Sequence, residues 1–258
     1  MLRDHPLAMT ARFRDLLVVT FAFPAATLEP LVPASLAVEQ HDGHGFVAVA
    51  LVDLDRLRPA GLPRRLGIAA RFAGYRVFVR AATVAGRTRR GLKVLHTDVN
   101  RWPLVAGMRL VTRYRSGHAD IGWRQDGDRL GVRVTSPRGR SDLAVTATLT
   151  AVPDTPPPGS PFASWAQARP FAGPLPWTIA PDSSGTSAVM VKGIRDRWDP
   201  RPVAVEHTDV ALFRQPPFAP ATPRLAAAFR LQGLDYTWTT GTVEPLATNQ
   251  TRRTKIGW

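Results

Sequence analysis

Cysteine is absent from the 258 residues, and that gap alone removes disulfides, thiolate nucleophiles and cysteine-bound metals. Lysine is nearly absent too, occurring only as Lys93, Lys192 and Lys255. No apolar run approaches the length that crosses a bilayer, so no membrane partner is expected. Phosphate-loop and dinucleotide fingerprints are missing, as is any internal repeat of roughly 20–50 residues. Ser141 and Ser183-Ser184-Gly185 lack a nucleophile-elbow setting. No cofactor is therefore expected. His41-Asp42-Gly43-His44 brings two histidines close with no third ligand at suitable spacing, and it reads as a tight turn rather than a metal site.

What is present is arginine. The net charge is +14, almost all of it guanidinium dispersed through an Ala-, Pro- and Gly-rich chain. Such a balance raises the question of nucleic acid, but no stretch interleaves the arginines with exposed aromatics as single-strand binders do. A nucleic-acid role ranks last. Hydrophobic residues make up 44% of the chain, enough for a real core. Leu16–Phe23 followed by Pro24-Ala25-Ala26 has the outline of a secretion signal. Asp4 and Asp15 occupy what would be its positive flank, so a strand and turn are expected, and a cytoplasmic protein.

Strand signals dominate. Phe13–Phe23, Leu36–Gln40, Phe46–Leu57, Tyr75–Val84 and Gly91–Val99 read as strands, the last two joined by a turn at Ala85-Gly86-Arg87. Leu104–Arg115 reads as a helix, with Leu104, Met108, Leu110, Val111 and Tyr114 on one face and Arg109, Arg113 and Arg115 as cations. Ile121–Arg124 and Arg129–Thr135 flank an Asp-Gly hairpin turn. Asp142–Ala151, Ala188–Arg195, Val203–Phe213, Leu225–Leu231 and Tyr236–Val243 complete the strands. A short helical piece is expected at Phe162–Arg169, after the Pro-rich Asp154–Pro161. The expectation is one domain over 1–258 with a basic tail at 247–258, β-rich α+β, a barrel or curled sheet.

The stretch 89–115 carries the densest chemistry. Strict strand alternation places His96, Asp98 and Asn100 on one face with Leu92 and Val94. Lys93, Leu95, Thr97 and Val99 then fall on the other. A polar group at one end of an apolar face either meets something polar or marks the emergence of a loop. Lys93, flanked by apolar neighbours, reads as snorkelling from the sheet's outer face, because opposed faces separate it from His96, with a desolvated, nucleophilic amine as the alternative. Asp53 and Asp55 share a face and mark where their strand leaves the core. The tryptophans read as core or lid packing.

LLVVTFAFPAATLEPLVPASLAVEQHDGHGFVAVALVDLDRL resembles the N-terminal part of the acetoacetate decarboxylase-like superfamily. Arg76-x-Phe78-Val79, Arg90-Gly91 and Leu95-x-x-Asp98-x-Asn100-Arg101 before an apolar helix are similar to the signature of its YqjF-like branch, DUF2071. VMVKGIRDRWDPRPVAVEHTDVALF resembles that branch's late strand, Trp-containing turn and next strand. The resemblance spans roughly 12–245. It implies a mostly antiparallel cone-shaped barrel with a few flanking helices and a pocket inside. The decarboxylases carry a Pro-Lys-Lys whose lysine forms an imine. Aligned on Gly91, those positions fall at Asp98 to Asn100, and none is lysine. The expected glutamate near Arg58–Pro63 is missing, and the pocket arginine falls near Arg12–Arg14.

The sequence expectation is a small-molecule pocket for a carboxylate or oxo-acid. Arg76 with Arg12 or Arg14, and Arg101, would hold the anion. His96 and Asp98 would be an acid–base pair, Asn100 an oxyanion donor and Lys93 a relocated imine lysine. If the chain is an enzyme, the expected class is lyase-like: decarboxylase, aldolase or dehydratase. A non-catalytic ligand-binding or scaffold module, with homo-oligomerisation, is the alternative.

Overall fold

Short Val- and Phe-rich segments apolar on both faces suit strands covered on both sides. Residues 16–23 and 46–52 are buried without interruption. The computed structural model describes residues 3–150 and 153–247. Its first strands are β1 (Met9–Pro24), β2 (Leu36–Val38), β3 (Gln40–His41), β4 (His44–Pro59), β5 (Ile68–Ala82) and β6 (Thr88–Val99), with the short helix α1 (Ala25–Leu28) after β1. Helix α2 (Trp102–Val111) follows, then β7 (Ser116–His118), β8 (Asp120–Asp126), β9 (Arg129–Thr135) and β10 (Leu143–Thr148). The last part holds α3 (Trp165–Ala168), β11 (Trp177–Pro181), β12 (Ser187–Arg195), β13 (Arg201–Pro202), β14 (Ala204–Val210), β15 (Arg224–Trp238) and β16 (Thr242–Pro245). The fold is β-rich, as expected. No helix among the described residues is long and apolar enough to cross a membrane. Of the tail read at 247–258, residues 248–258 lie outside the described residues.

The large sheet runs β15-β1-β4-β5-β6-β11-β12, and β12 pairs back onto β15 through Gly193 opposite Trp238. Seven strands therefore form a ring of pairings. One seam is weak: β6 and β11 are joined by the single parallel pair Thr178 and Leu92. On the outer face, Leu17, Val19, Phe21, Val47, Val49, Tyr75 and Val77 pack against the second sheet, β14-β10-β9-β8. On the inner face, Leu16, Val18, Phe46, Ala48 and Phe78 pack against Phe162 and Phe171. Phe171 sits 4.4 Å from Phe46 and 5.2 Å from Phe78, ring to ring, and its carbonyl accepts the Thr20 hydroxyl at 2.9 Å. Each fully buried aromatic or leucine of this kind contributes roughly 1.5–3 kcal/mol of burial.

Several boundaries differ from the sequence reading. β5 begins at Ile68, because weak strand formers such as Ala70, Ala73 and Gly74 pair with β4 once that strand is in place. β11 lies in what reads as a Pro-rich loop, and β15 joins two expected strands into one through Gly233 at φ 64°. Helix α2 stops at Val111, not Arg115. The Thr112 hydroxyl and amide both donate to the Met108 carbonyl, and Thr112 itself is extended.

Candidate functional site

The centre of the site is an irregularity in β6. Tyr75 of β5 lies opposite His96, but Arg76 lies opposite Val94, so Leu95 is an extra residue. A bulge of this kind shifts the alternation of a strand by one. Val77 is opposite Lys93, and Tyr75 and Val77 share the outer face. Lys93, His96 and Asp98 consequently share that face as well, and all three line one cavity of about 920 Å³. Strict alternation had placed Lys93 on the opposite face, and the bulge corrects it.

His96 Nε2 is 2.9 Å from Asp98 Oδ1. An ionised carboxylate only accepts, so the proton sits on Nε2, and in the neutral ring Nδ1 is left as an acceptor. Asp98 is 1% exposed and its Oδ2 has no partner. β7 runs parallel to β6 with Gly117 beside Asp98. A Cβ at Gly117 would stand 2.7 Å from Asp98 Oδ1 and 3.3 Å from the His96 ring, so only glycine leaves the pair its room. Lys93 is half-buried. Burial pushes its amine below the usual lysine range, and the nearby Arg115 charge pushes the same way.

The rest of the cavity is cationic. Arg113 is held by Asp4 at 2.7 Å, and Arg109 donates to the Ser116 carbonyl. Arg115, Arg138 and Arg140 have no carboxylate within ion-pair distance among the described residues. Trp102 lines the same space. It is 58% exposed and stacks on His118 with ring centroids 4.8 Å apart, so it is not buried packing.

A second feature lies inside the ring. Arg76 projects half-buried from the inner face of β5, where Tyr236 and Tyr114 are the titratable groups near it. Tyr236 is on β15, three strands away round the sheet, so these side chains come near one another across the interior. Burial pushes the Arg76 guanidinium below its usual range and both tyrosines above theirs. Arg76 Nε has no hydrogen-bond partner, and among the described residues no carboxylate pairs with this arginine. Tyr114 belongs to both places: it lines the cavity and packs with Ala180 and Val191 beside the weak seam.

The other expected site residues lie elsewhere. Arg12 pairs with Asp235 at 3.2 Å and Arg14 with Asp53 at 2.8 Å. Arg14 is itself an extra residue, because Phe13 lies opposite Leu54 and Asp15 opposite Asp53. Phe13 and Leu16 both face inward as a result, and neither arginine joins Arg76. Asn100 Oδ1 accepts the Arg71 amide at 2.8 Å, closing the end of β5 and β6. Arg101 is exposed, and its carbonyl accepts the first amides of α2. The sequence reading missed Tyr114 and Tyr236 as polar neighbours of Arg76, and Arg138 and Arg140 at the cavity. A tyrosine on an apolar face and arginines in a turn carry no pattern that would mark them.

The family model of DUF2071, described as "Uncharacterized conserved protein (COG2071)", matches residues 10–232. No curated protein matches the chain. Among solved structures, an acetoacetate decarboxylase from Legionella pneumophila is similar at a TM-score of 0.58 and 13% identity, covering 92% of this chain and 87% of that one. A second acetoacetate decarboxylase gives 0.56 and 12%, over 94% and 89%. The enduracididine biosynthesis enzyme MppR, complexed with pyruvate, gives 0.54 and 10%, over 92% and 90%. At these identities the likeness is one of fold.

Proposed function

Starting from a chain that belongs to the DUF2071 family and has an acetoacetate decarboxylase-like fold, we propose that it binds a small oxo-acid or related carboxylate. The observation that carries this reading is Arg76, half-buried on the inner face of the ring, its Nε without a hydrogen-bond partner and no carboxylate paired with it among the described residues. A partly desolvated charge without a counter-charge is costly, and a bound carboxylate is the group that would offset the cost. The ligand enters by the cavity and reaches Arg76 past Tyr114, which borders both. That one similar fold, MppR, has been seen with pyruvate supports the class of ligand.

At the cavity the chemistry is acid–base. With Nε2–H held by Asp98, His96 Nδ1 takes a proton from the ligand, and the resulting imidazolium is stabilised by the buried carboxylate. Lys93, its charged form disfavoured by burial, either donates a hydrogen bond to a developing enolate or attacks a carbonyl to form an imine. The absence of lysine at Asp98–Asn100 favours a second reading, ligand binding without turnover.

The test is thermal stabilisation and calorimetric binding with 2-oxo and 3-oxo acids, followed by borohydride trapping and mass spectrometry. The expected result is binding that Arg76→Met abolishes. Unchanged affinity in Arg76→Met overturns the proposal. An adduct on Lys93 selects imine chemistry, and tight binding with no adduct and no product selects the binding module.

A further inference from the structure

The acids and cations of the cavity are unevenly used. Among the described residues that line it, Asp98 is the one carboxylate, and it is occupied by His96. Asp4, outside the lining, holds Arg113. Arg109, Arg115, Arg138 and Arg140 have no carboxylate partner among the described residues, and Lys93 is a fifth cationic side chain, its charged form disfavoured by burial. One carboxylate on Arg76 would leave all of these without a counter-charge.

Arg138 and Arg140 sit on a turn that is fixed in place. Asp142 accepts the amide and hydroxyl of Ser136 at 2.7 and 2.8 Å, closing the turn on itself. The buried Tyr75 hydroxyl donates to the Ser141 carbonyl at 2.9 Å, tying the turn to β5 beneath. Gln215 Nε2 donates to the Arg140 carbonyl from the other side. The backbone is thus held over the cavity while the two guanidinium groups stay exposed. A cavity of about 920 Å³ also exceeds what a three-carbon acid fills.

We infer that the ligand carries a second anionic group, a carboxylate or a phosphate, which Arg138 and Arg140 hold at the mouth while its first carboxylate meets Arg76. This rests on the reading of Arg76 given above. A guanidinium fork accepts either anion, so the shared chemistry is a dianionic small acid. Exposed arginines act mainly on encounter and on salt-dependent affinity.

Matched probes test it. 2-Oxoglutarate and 2-oxopentanoate have the same chain length and differ in the terminal carboxylate. Phosphoenolpyruvate and pyruvate differ in the phosphate. Calorimetry at low ionic strength is expected to give at least one dianion about tenfold tighter binding than its monoanionic partner. The double variant Arg138→Gln, Arg140→Gln is expected to erase that advantage and leave the monoanion's affinity unchanged. The pair that shows the advantage identifies carboxylate or phosphate. Equal binding within both pairs overturns this inference and leaves the carboxylate pocket standing. No binding by any of the four overturns both. A dianion advantage that survives in the double variant overturns the assignment to Arg138 and Arg140.

Discussion

Lys93 and His96, three residues apart in one strand, point to the same side of it. Regular alternation forbids this, and Leu95 permits it by standing unpaired between Val94 and His96. One extra residue thus brings an amine with a lowered pKa into the cavity that holds the His96–Asp98 pair.

That amine can be observed directly, because lysine is so scarce. Lys93 is half-buried, whereas Lys192 is exposed. Burial disfavours the ammonium form, so Lys93 loses its proton below the ordinary value of 10.5. Reductive methylation followed by nitrogen–proton spectroscopy across pH is expected to show Lys93 titrating before Lys192. Coincident titration of the two would remove the case for a desolvated amine.

Gly117→Ala tests the room given to His96 and Asp98. The new methyl group would stand 2.7 Å from Asp98 Oδ1. Displacing a buried pair by overpacking costs about 1–3 kcal/mol. Urea denaturation should record that loss, together with a weakened response to oxo-acids. Wild-type stability would mean that β7 moves aside freely.

Arg76→Met should make the unliganded protein more stable. The substitution keeps a long flexible chain and removes a half-buried charge with no carboxylate partner among the described residues. Replacing such a charge by an apolar group of similar size gains on the order of 1–2 kcal/mol. A higher melting temperature in the absence of any acid, with no further rise when one is added, is the expected pattern. A strongly destabilised variant would show that the protein itself already compensates the charge.

Glu39 provides a pH-dependent element away from the site. Burial raises its pKa, but Arg80 at 2.6 Å and Arg90 at 3.1 Å outweigh that and hold it below the ordinary 4.5. A carboxyl with a depressed folded-state pKa stabilises the fold above its unfolded value, and the contribution is lost as pH falls through the folded value. Glu39→Gln is expected to cost about 1–2 kcal/mol near neutrality, the exposed Arg80 limiting the figure. The difference from wild type should close as the pH drops below 4.5. A difference that persists in acid would assign the effect to packing.

Much of this protein was determined by the sequence alone. Residues 16–23 and 46–52 are almost wholly apolar, short and rich in Val and Phe, which marks them as strands buried between two layers. The proximity of His96 and Asp98 followed from a two-residue spacing in a strand. What followed from neither pattern nor composition was decided by bulges and by closure of the sheet. Bulges at Arg14 and Leu95 shift the alternation, and a bulge is a property of two paired strands, invisible in either one. That shift turns Arg12 and Arg14 away from Arg76 and turns Lys93 toward His96. Closure of the ring through β12 and β15 brings Tyr236 into the neighbourhood of Arg76 across 160 positions of chain, a proximity that exists only once every intervening strand is in register.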